Sequence, residues 1–577
     1  MNRIVEITII VLIAIVAGAI VYSVSPPDWP VQGTYTAEVF LHGKSVGVLE
    51  FNLSDKHIVK NFSTGNNEVL QVALRSPGGV YVGKPLVFNV CLYRDNELVE
   101  LSIKDVSLTI KTPDNHLYKY IPTSKTDKCV EISVQPYIHA REAGFIFGSA
   151  IVLFASASII HYIITGLYVT LALVLVGVQP ASTAYQYYMA PLIMVFIAGS
   201  AMELVIREKG LDVRVARLLS RIARGPYTLI LGISFLGSFL SMWMSNTAAT
   251  YVMLPLAAAL LAGIRDKAPR ISSIAMVSLA MGASIGGTAT LIGTPPNLIA
   301  AEFLNKFAYG YYAIGFYRWL LIGLPAWIIG FTIGVLLAFL YAKITASGEL
   351  GIVKDYLKGI REKGEAKPWS RAEIIALTEL LILVGLWITE PLHGIKTGIA
   401  AGIGILLFFA TGILNPKEHW KKLAWDLMVL FGAGLTLGSG LMKSGWANYL
   451  LSQLHSVGSL GWAGFYIIGF TAYFIGTFIS SHTSASAFIA PLTIPLGMTM
   501  AASLGLNPAT GAALATVVAV VSLNNAIALP ISTPPSAIVY ASGKANIKDL
   551  MIYGFLFGIV ANAIIIAVLL HYWATIL

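Results

Sequence analysis

Two polar triads interrupt long apolar runs in this chain: Ser245-Asn246-Thr247 and Ser481-His482-Thr483. Each is followed by a Thr-Pro-Pro step, Thr294-Pro295-Pro296-Asn297 after the first and Thr533-Pro534-Pro535-Ser536 after the second. Proline stops a helix, so each set marks a helix that breaks off inside apolar sequence. Backbone N–H groups freed at such a break carry partial positive charge and attract anions. Hydroxyls and the Asn246 amide can donate to carboxylate or sulfate oxygens. The same side-chain oxygens, with unwound carbonyls, suit a hard monovalent cation. The chemistry on offer is binding. The sequence has no HExxH motif, no paired aspartates within its apolar segments and no nucleophile–base spacing, so an enzyme is not expected.

Membrane helices must position these breaks. Of 577 residues, 56% are hydrophobic and 12% charged, against roughly 25% charged in a soluble domain. The net charge of +9 does not imply nucleic acid, because no basic stretch is interleaved with aromatics. Spans are expected at 144–162, 163–178, 187–206, 318–343, 373–389, 397–413, 426–441 and 549–573. Hairpins are expected at 227–262 and 461–503, and broken segments at 271–304 and 508–545. Arg207, Lys209, Arg214, Arg217, Arg221 and Arg224 crowd one loop, whereas 179–186 has no Lys or Arg and 442–460 only Lys443. The positive-inside rule then puts the C-terminus, and everything between the first anchor and residue 144, outside the cytoplasm. The stretch from Arg207 to Arg224 resembles an amphipathic arm along the cytoplasmic face.

The first 25 residues read as an uncleaved membrane anchor ended by Pro26-Pro27. Residues 29–137 change character, with strand-like alternation in Thr34–Leu41 and Leu86–Tyr93 between turn-rich stretches. A small extracytoplasmic β-sandwich of immunoglobulin-like size is expected there. It holds both cysteines, Cys91 and Cys129, which could form one bridge in an oxidising exterior.

The rest of the chain repeats itself. Lys209-Gly210-Leu211 recurs as Ser444-Gly445-Trp446 at an offset of 235; the triads recur at 236 and the Thr-Pro-Pro steps at 239. Residues 144–343 and 372–573 are therefore expected to be two copies joined by a cytoplasmic linker, 344–371. The basic loops fall on opposite sides of the two copies, which makes the repeats inverted. Inverted repeats with broken helices are an architecture of secondary transporters.

Trp243-Met244-Ser245-Asn246-Thr247-Ala248-Ala249-Thr250 and the run from Gly286 to Asn297 resemble the paired signatures of the divalent anion/sodium symporter family. The resemblance spans about 144–573. It implies sodium-coupled symport of a dicarboxylate, citrate or sulfate by a homodimer in the lipid bilayer, each protomer moving as an elevator. By position, Ser241, Ser245, Asn246 and the Gly293 carbonyl match the first sodium site. Thr477, Ser480, His482 and the Ser532 carbonyl match the second. Substrate contacts fall to Ser245, Asn246, Thr247, Ser481, His482, Thr483 and Thr533, with Pro534 lining the pocket and Thr294 as the repeat mate of Thr533. Two residues depart from the pattern: His482 replaces the expected Asn, and Ser536 replaces the counterpart of Asn297. Imidazole is a poor sodium ligand, so one Na+ is expected to be lost or replaced by H+.

Two other functions fit the same sequence features. One is a proton-coupled anion carrier or a metalloid-oxyanion efflux protein, separated from the first by sodium dependence. The other is a membrane-anchored sensor or adhesion protein acting through residues 29–137. Of the remaining polar residues, His161 is expected at an interface and Glu379 in a structural pairing.

Overall fold

The computed structural model describes residues 3–577 except 30–33, 53–54, 56, 66–67, 76–85, 96, 102–104, 114–116, 121–123, 127, 135–136, 157–158, 265, 309–313, 360–367, 454–459 and 480. Ser480, assigned to the second cation site, and part of the expected linker lie outside the described residues.

A small β-structure follows the first helix, α1 (Arg3–Val24). One sheet has the order β2 (Lys44–Phe51), β1 (Tyr35–Leu41), β7 (Val106–Lys111), β8 (Leu117–Tyr120). The other runs β3 (His57–Gly65), β4 (Glu68–Arg75), β5 (Leu86–Arg94), β10 (Cys129–Val134), β9 (Ser124–Thr126), with β6 (Glu97–Val99) paired to β5. Alternation along the strands turns Tyr35, Ala37 and Val39 inward from one sheet and Phe88, Val90 and Ile132 from the other. Phe51 meets Phe88 edge-on at 5.7 Å across the gap, so two antiparallel sheets share one core. Cys91 and Cys129 sit side by side on paired strands β5 and β10, joined by a disulfide.

Among the described residues, the regular elements after residue 139 are all helices. The principal helices are α2 (Ala140–Ala155), α3 (Tyr162–Leu175), α4 (Pro191–Glu208), α5 (Leu211–Ile222), α6 (Pro226–Ser241), α7 (Asn246–Leu261), α8 (Pro269–Gly286), α9 (Pro295–Phe307) and α10 (Phe316–Thr345). They continue with α11 (Arg371–Ile388), α12 (Thr397–Ala410), α13 (Trp425–Lys443), α14 (Trp462–Phe478), α15 (His482–Leu504), α16 (Pro508–Asn524), α17 (Pro534–Ala541) and α18 (Ile547–Ile576). Among the described residues, six helical stretches are long and apolar enough to cross a membrane, including α1, α10 and α18. Both α6 and α7 have 16 residues, about 24 Å at 1.5 Å per residue and short of the ~30 Å hydrocarbon core. They pack against each other as a hairpin too short for either arm to span that core.

The first span begins at Ala140 rather than 144 for a reason remote in sequence. The Ala140 N–H donates to Asp28 Oδ1 at 3.2 Å, capping α2 from the far end of the β-structure. The basic arm forms α5, and Arg214 anchors it. Its guanidinium meets Glu373 Oε1 at 2.5 Å and stacks 4.2 Å from the Trp369 ring.

Close packing of α6 on α8 fixes the first hairpin. A Cβ on Gly282 would lie 2.2 Å from the Ser234 carbonyl oxygen, and one on Gly286 2.3 Å from that of Ser238. Small residues four apart on both helices let the backbones touch, the usual route to tight packing in lipid. Gly286→Ala should therefore lower stability by about 1–3 kcal/mol through overpacking. Gly402→Ala on α12, where a Cβ meets nothing within 4 Å, should be neutral or stabilising by up to ~1 kcal/mol. Thermal unfolding of the two variants in detergent checks the contrast.

Candidate functional site

Four helix N-termini carry the motif residues, and in each case the residue picked out by sequence is the N-cap. Ser245 caps α7, its Oγ accepting from the Ala248 N–H at 3.3 Å. Ser481 caps α15, accepting from the Ser484 N–H at 3.1 Å. Thr533 caps α17, accepting from the Ser536 N–H at 3.2 Å. Thr294 precedes α9 in extended conformation without a side-chain cap bond. Pro295 and Pro534 follow their caps at the first helical position, where a missing N–H costs nothing.

The breaks pack across the molecule. Helix α17 lies against α7 and α8, and α9 lies against α15 and α16. Asn524, buried at the end of α16, donates from Nδ2 to Asn297 Oδ1 at 3.0 Å and to Thr288 Oγ1 at 3.2 Å. Asn297 in turn donates to the Gly287 and Thr290 carbonyls at 2.8 Å. These bonds satisfy the unwound carbonyls of the first break. Ser536 does the same for the second with one hydroxyl, donating to the Ile527 carbonyl at 2.9 Å. The departure from Asn at Ser536 thus preserves part of the role.

Around Asn246 the groups converge on one point. Ser241 Oγ lies 2.6 Å from the outer atom of the Asn246 carboxamide and donates to the Ala283 carbonyl at 2.6 Å. The Gly293 and Ala283 carbonyl oxygens each stand 3.2 Å from that same carboxamide position. An amide nitrogen there hydrogen-bonds all three. An amide oxygen there completes an all-oxygen set, which a small hard cation can neutralise. Glycine is required at this break: a Cβ on Gly287 would sit 2.4 Å from Asn246 Oδ1, and one on Gly293 2.5 Å from the Gly287 carbonyl oxygen. Ser241, Asn246 and Gly293 come together around one carboxamide atom. The Ser245 hydroxyl is taken up by its cap bond to the Ala248 N–H, and its backbone N–H donates to Glu203 Oε2 at 3.2 Å.

The second half is built differently. His482 Nε2 lies 3.2 Å from the Gly476 carbonyl oxygen. A carbonyl offers no proton, so this nitrogen carries one and donates. Thr477 and Ser532 do meet, but through the Ser532 hydroxyl donating to the Thr477 carbonyl at 2.7 Å. The Thr477 hydroxyl is spent on Tyr473 O at 2.9 Å.

Burial varies among the motif residues. Ser241, Gly293, Thr294, Thr477, Ser532 and Thr533 are buried, whereas Ser245, Asn246, Thr247, Ser481, His482 and Thr483 are half-buried and Pro534 is exposed. The triad residues are thus less enclosed than the buried carbonyl and hydroxyl groups beside them. Two large cavities lie elsewhere. One of 680 Å³ is lined by Arg318, Glu390 and Lys396, and one of 710 Å³ runs between α1, α2 and α3 past His161. Glu379 is buried on α11 with Thr411 as its polar neighbour rather than a cation.

Sequence reasoning missed Ala283, Glu203, Asn524 and Thr288. The first acts through its backbone, so no side chain announced it. Glu203 is an ionisable residue within an apolar helix, and Asn524-Asn525 a pair of amides ending one, signals that were available.

Apolar helices that break and restart on polar caps, in a chain whose family profile is that of a transporter, define a multi-pass membrane transporter. The chain belongs to the citrate transporter family, whose profile (CitMHS) matches residues 150–492 and 384–577, and the resemblance to the divalent anion/sodium symporters is borne out. It is 29% identical over 460 residues to an uncharacterised transporter of Haemophilus influenzae, covering 77% of this chain and 94% of that one. It is 29% identical over 417 residues to the sodium-dependent dicarboxylate transporter SdcS of Staphylococcus aureus, covering 66% and 76%. The solved YdaH transporter of Alcanivorax borkumensis aligns at 18% identity and TM-score 0.48, covering 74% of this chain and 98% of that one.

A cation bound at the Asn246 cluster stabilises the folded state by mass action. Sodium chloride should raise the melting temperature of the wild type above that in choline chloride by several degrees at about 100-fold excess over Kd, equivalent to roughly 2.7 kcal/mol. Asn246→Ala should abolish the difference; a sodium shift surviving in that variant would count against the site.

Proposed function

We propose that this protein is a secondary active transporter that carries a small divalent anion in symport with sodium. The observation that carries the reading is the set of four motif N-caps, Ser245, Thr294, Ser481 and Thr533, at helix starts packed across two halves of the chain. Four partial positive charges suit a dianion, and buried oxygens beside them suit the coupling ion. Family membership and the dicarboxylate-transporting relative support the same substrate class.

In this reading residues 144–343 and 372–573 are inverted repeats joined by the linker 344–371. The two hairpins α6–α7 and α14–α15 move together with the broken helices as the mobile part of a homodimeric elevator. Residues 1–25 anchor the chain, and the β-sandwich 29–137 and the C-terminus lie outside the cytoplasm. The substrate touches Ser245, Asn246, Thr247, Ser481, His482, Thr483 and Thr533 beside Pro534, with Thr294 opposite.

The coupling is unequal in the two halves. Ser241, Asn246 and the Gly293 and Ala283 carbonyls hold one sodium. In the second half, among Thr477, Ser480, His482 and Ser532, the His482 N–H already donates where a cation would have to be accepted. One sodium is therefore carried there in no form, or its place is taken by a proton on the ring.

Uptake of labelled succinate and sulfate into proteoliposomes tests this. The wild type should require sodium with a Hill coefficient near one, and acidification should change the rate. His482→Asn should steepen the sodium dependence and flatten the pH dependence. Uptake with identical sodium and pH dependence in both proteins would refute the unequal coupling. Sodium-independent uptake would favour the proton-coupled carrier instead.

A further inference from the structure

Three side chains with metal-ligating atoms meet at the neck of the β-structure, far from the helix breaks. Asp28 stands where the chain enters the strands; His139 and Glu142 stand where it leaves them for α2. One ligand atom from each, an imidazole nitrogen and two carboxylate oxygens, lies within 4.8 Å of the others. Glu142 also has a buried carboxylate oxygen, Oε2, with no hydrogen-bond partner among the described residues. Such a group is costly unless something pairs with it. Asp28 is exposed, so the cluster is open to ions from solution.

We infer that Asp28, His139 and Glu142 form a binding site for a divalent transition-metal ion such as Zn2+ or Mn2+. One imidazole and two carboxylates are a donor set these ions accept, with water completing the shell. Ligand atoms around one such ion stand roughly 3–4.6 Å apart for bonds of about 2.0–2.3 Å, so small side-chain rotations close the observed triangle. His139 holds a left-handed backbone, φ 55° and ψ 29°, directly before α2. Asp28 already reaches across to cap α2 through the Ala140 N–H. The ion would clasp residue 28 to residues 139 and 142, closing a loop of more than a hundred residues at its base. The site rests on no part of the transport reading.

Metal-stripped, full-length protein in detergent is titrated with Zn2+, Mn2+, Ca2+ and Mg2+ in separate calorimetric runs. Zn2+ or Mn2+ should bind at one ion per chain, and loss of a ligand should weaken it by more than the roughly 10- to 100-fold that follows loss of a supporting partner. The variants are Asp28→Asn, which keeps an acceptor for Ala140, Glu142→Gln, and His139→Asn, which tolerates positive φ. Metal should also raise the melting temperature and slow proteolysis at the neck in the wild type only. Substituted Co2+ should give a visible absorption band that His139→Asn shifts. No stoichiometric binding, or binding unchanged in His139→Asn and Glu142→Gln, overturns the site. Variants equally destabilised with and without metal would also overturn it, leaving only an ion-pair cluster.

Discussion

A helix that stops inside hydrocarbon leaves N–H and C=O groups that no water can reach, and every feature of the central site answers that constraint. The starts of α7, α15 and α17 are closed by the hydroxyl of the preceding residue. The unwound ends are closed by amide and hydroxyl groups from the opposite strand of the break, Asn297 in one half and Ser536 in the other. Asn524 ties the first break to α16, so the two halves share one buried polar network rather than owning one each. One acceptor of that network, the Asn524 carboxamide oxygen, has no hydrogen-bond partner among the described residues.

Within that network the halves are not equivalent. Around Asn246 the carboxamide faces carbonyls and a hydroxyl, a ring that accepts either an N–H or a cation. At His482 the ring nitrogen donates to the Gly476 carbonyl. One break therefore offers a choice of partner and the other a fixed donor. Glu203 adds a second asymmetry. Its carboxylate takes the Ser245 N–H at the very tip where an incoming anion would compete for it.

Much of this was readable in the sequence because it is written in side chains. Polar triads and Pro-Pro steps in apolar surroundings announced the four caps, and alternation announced the strands. Helix limits near 227–262 and 271–304 came within a few residues for the same reason. What stayed hidden was carried by backbone or by distance. The Ala283 carbonyl has no signature in an alanine. The start of α2 depends on Asp28, 112 residues away. In the second half the Ser532 hydroxyl donates to the Thr477 carbonyl and the Thr477 hydroxyl to the Tyr473 carbonyl, which spacing alone does not reveal. Glu379 was expected to pair and instead sits near a threonine, because the helices around it bring no cation to that depth.

The β-sandwich enters and leaves the helical body at almost one point. The Trp29 N–H donates to the Tyr137 carbonyl at 2.8 Å, and α1 runs alongside α2. Ser25 and Trp446 share a hydrogen bond of 2.9 Å just beneath. Topologically the strands are a cassette spliced between two neighbouring helices whose own packing does not pass through it. A lineage could gain, lose or exchange such a module without re-engineering the machinery below, much as an attachment is swapped on a common mount.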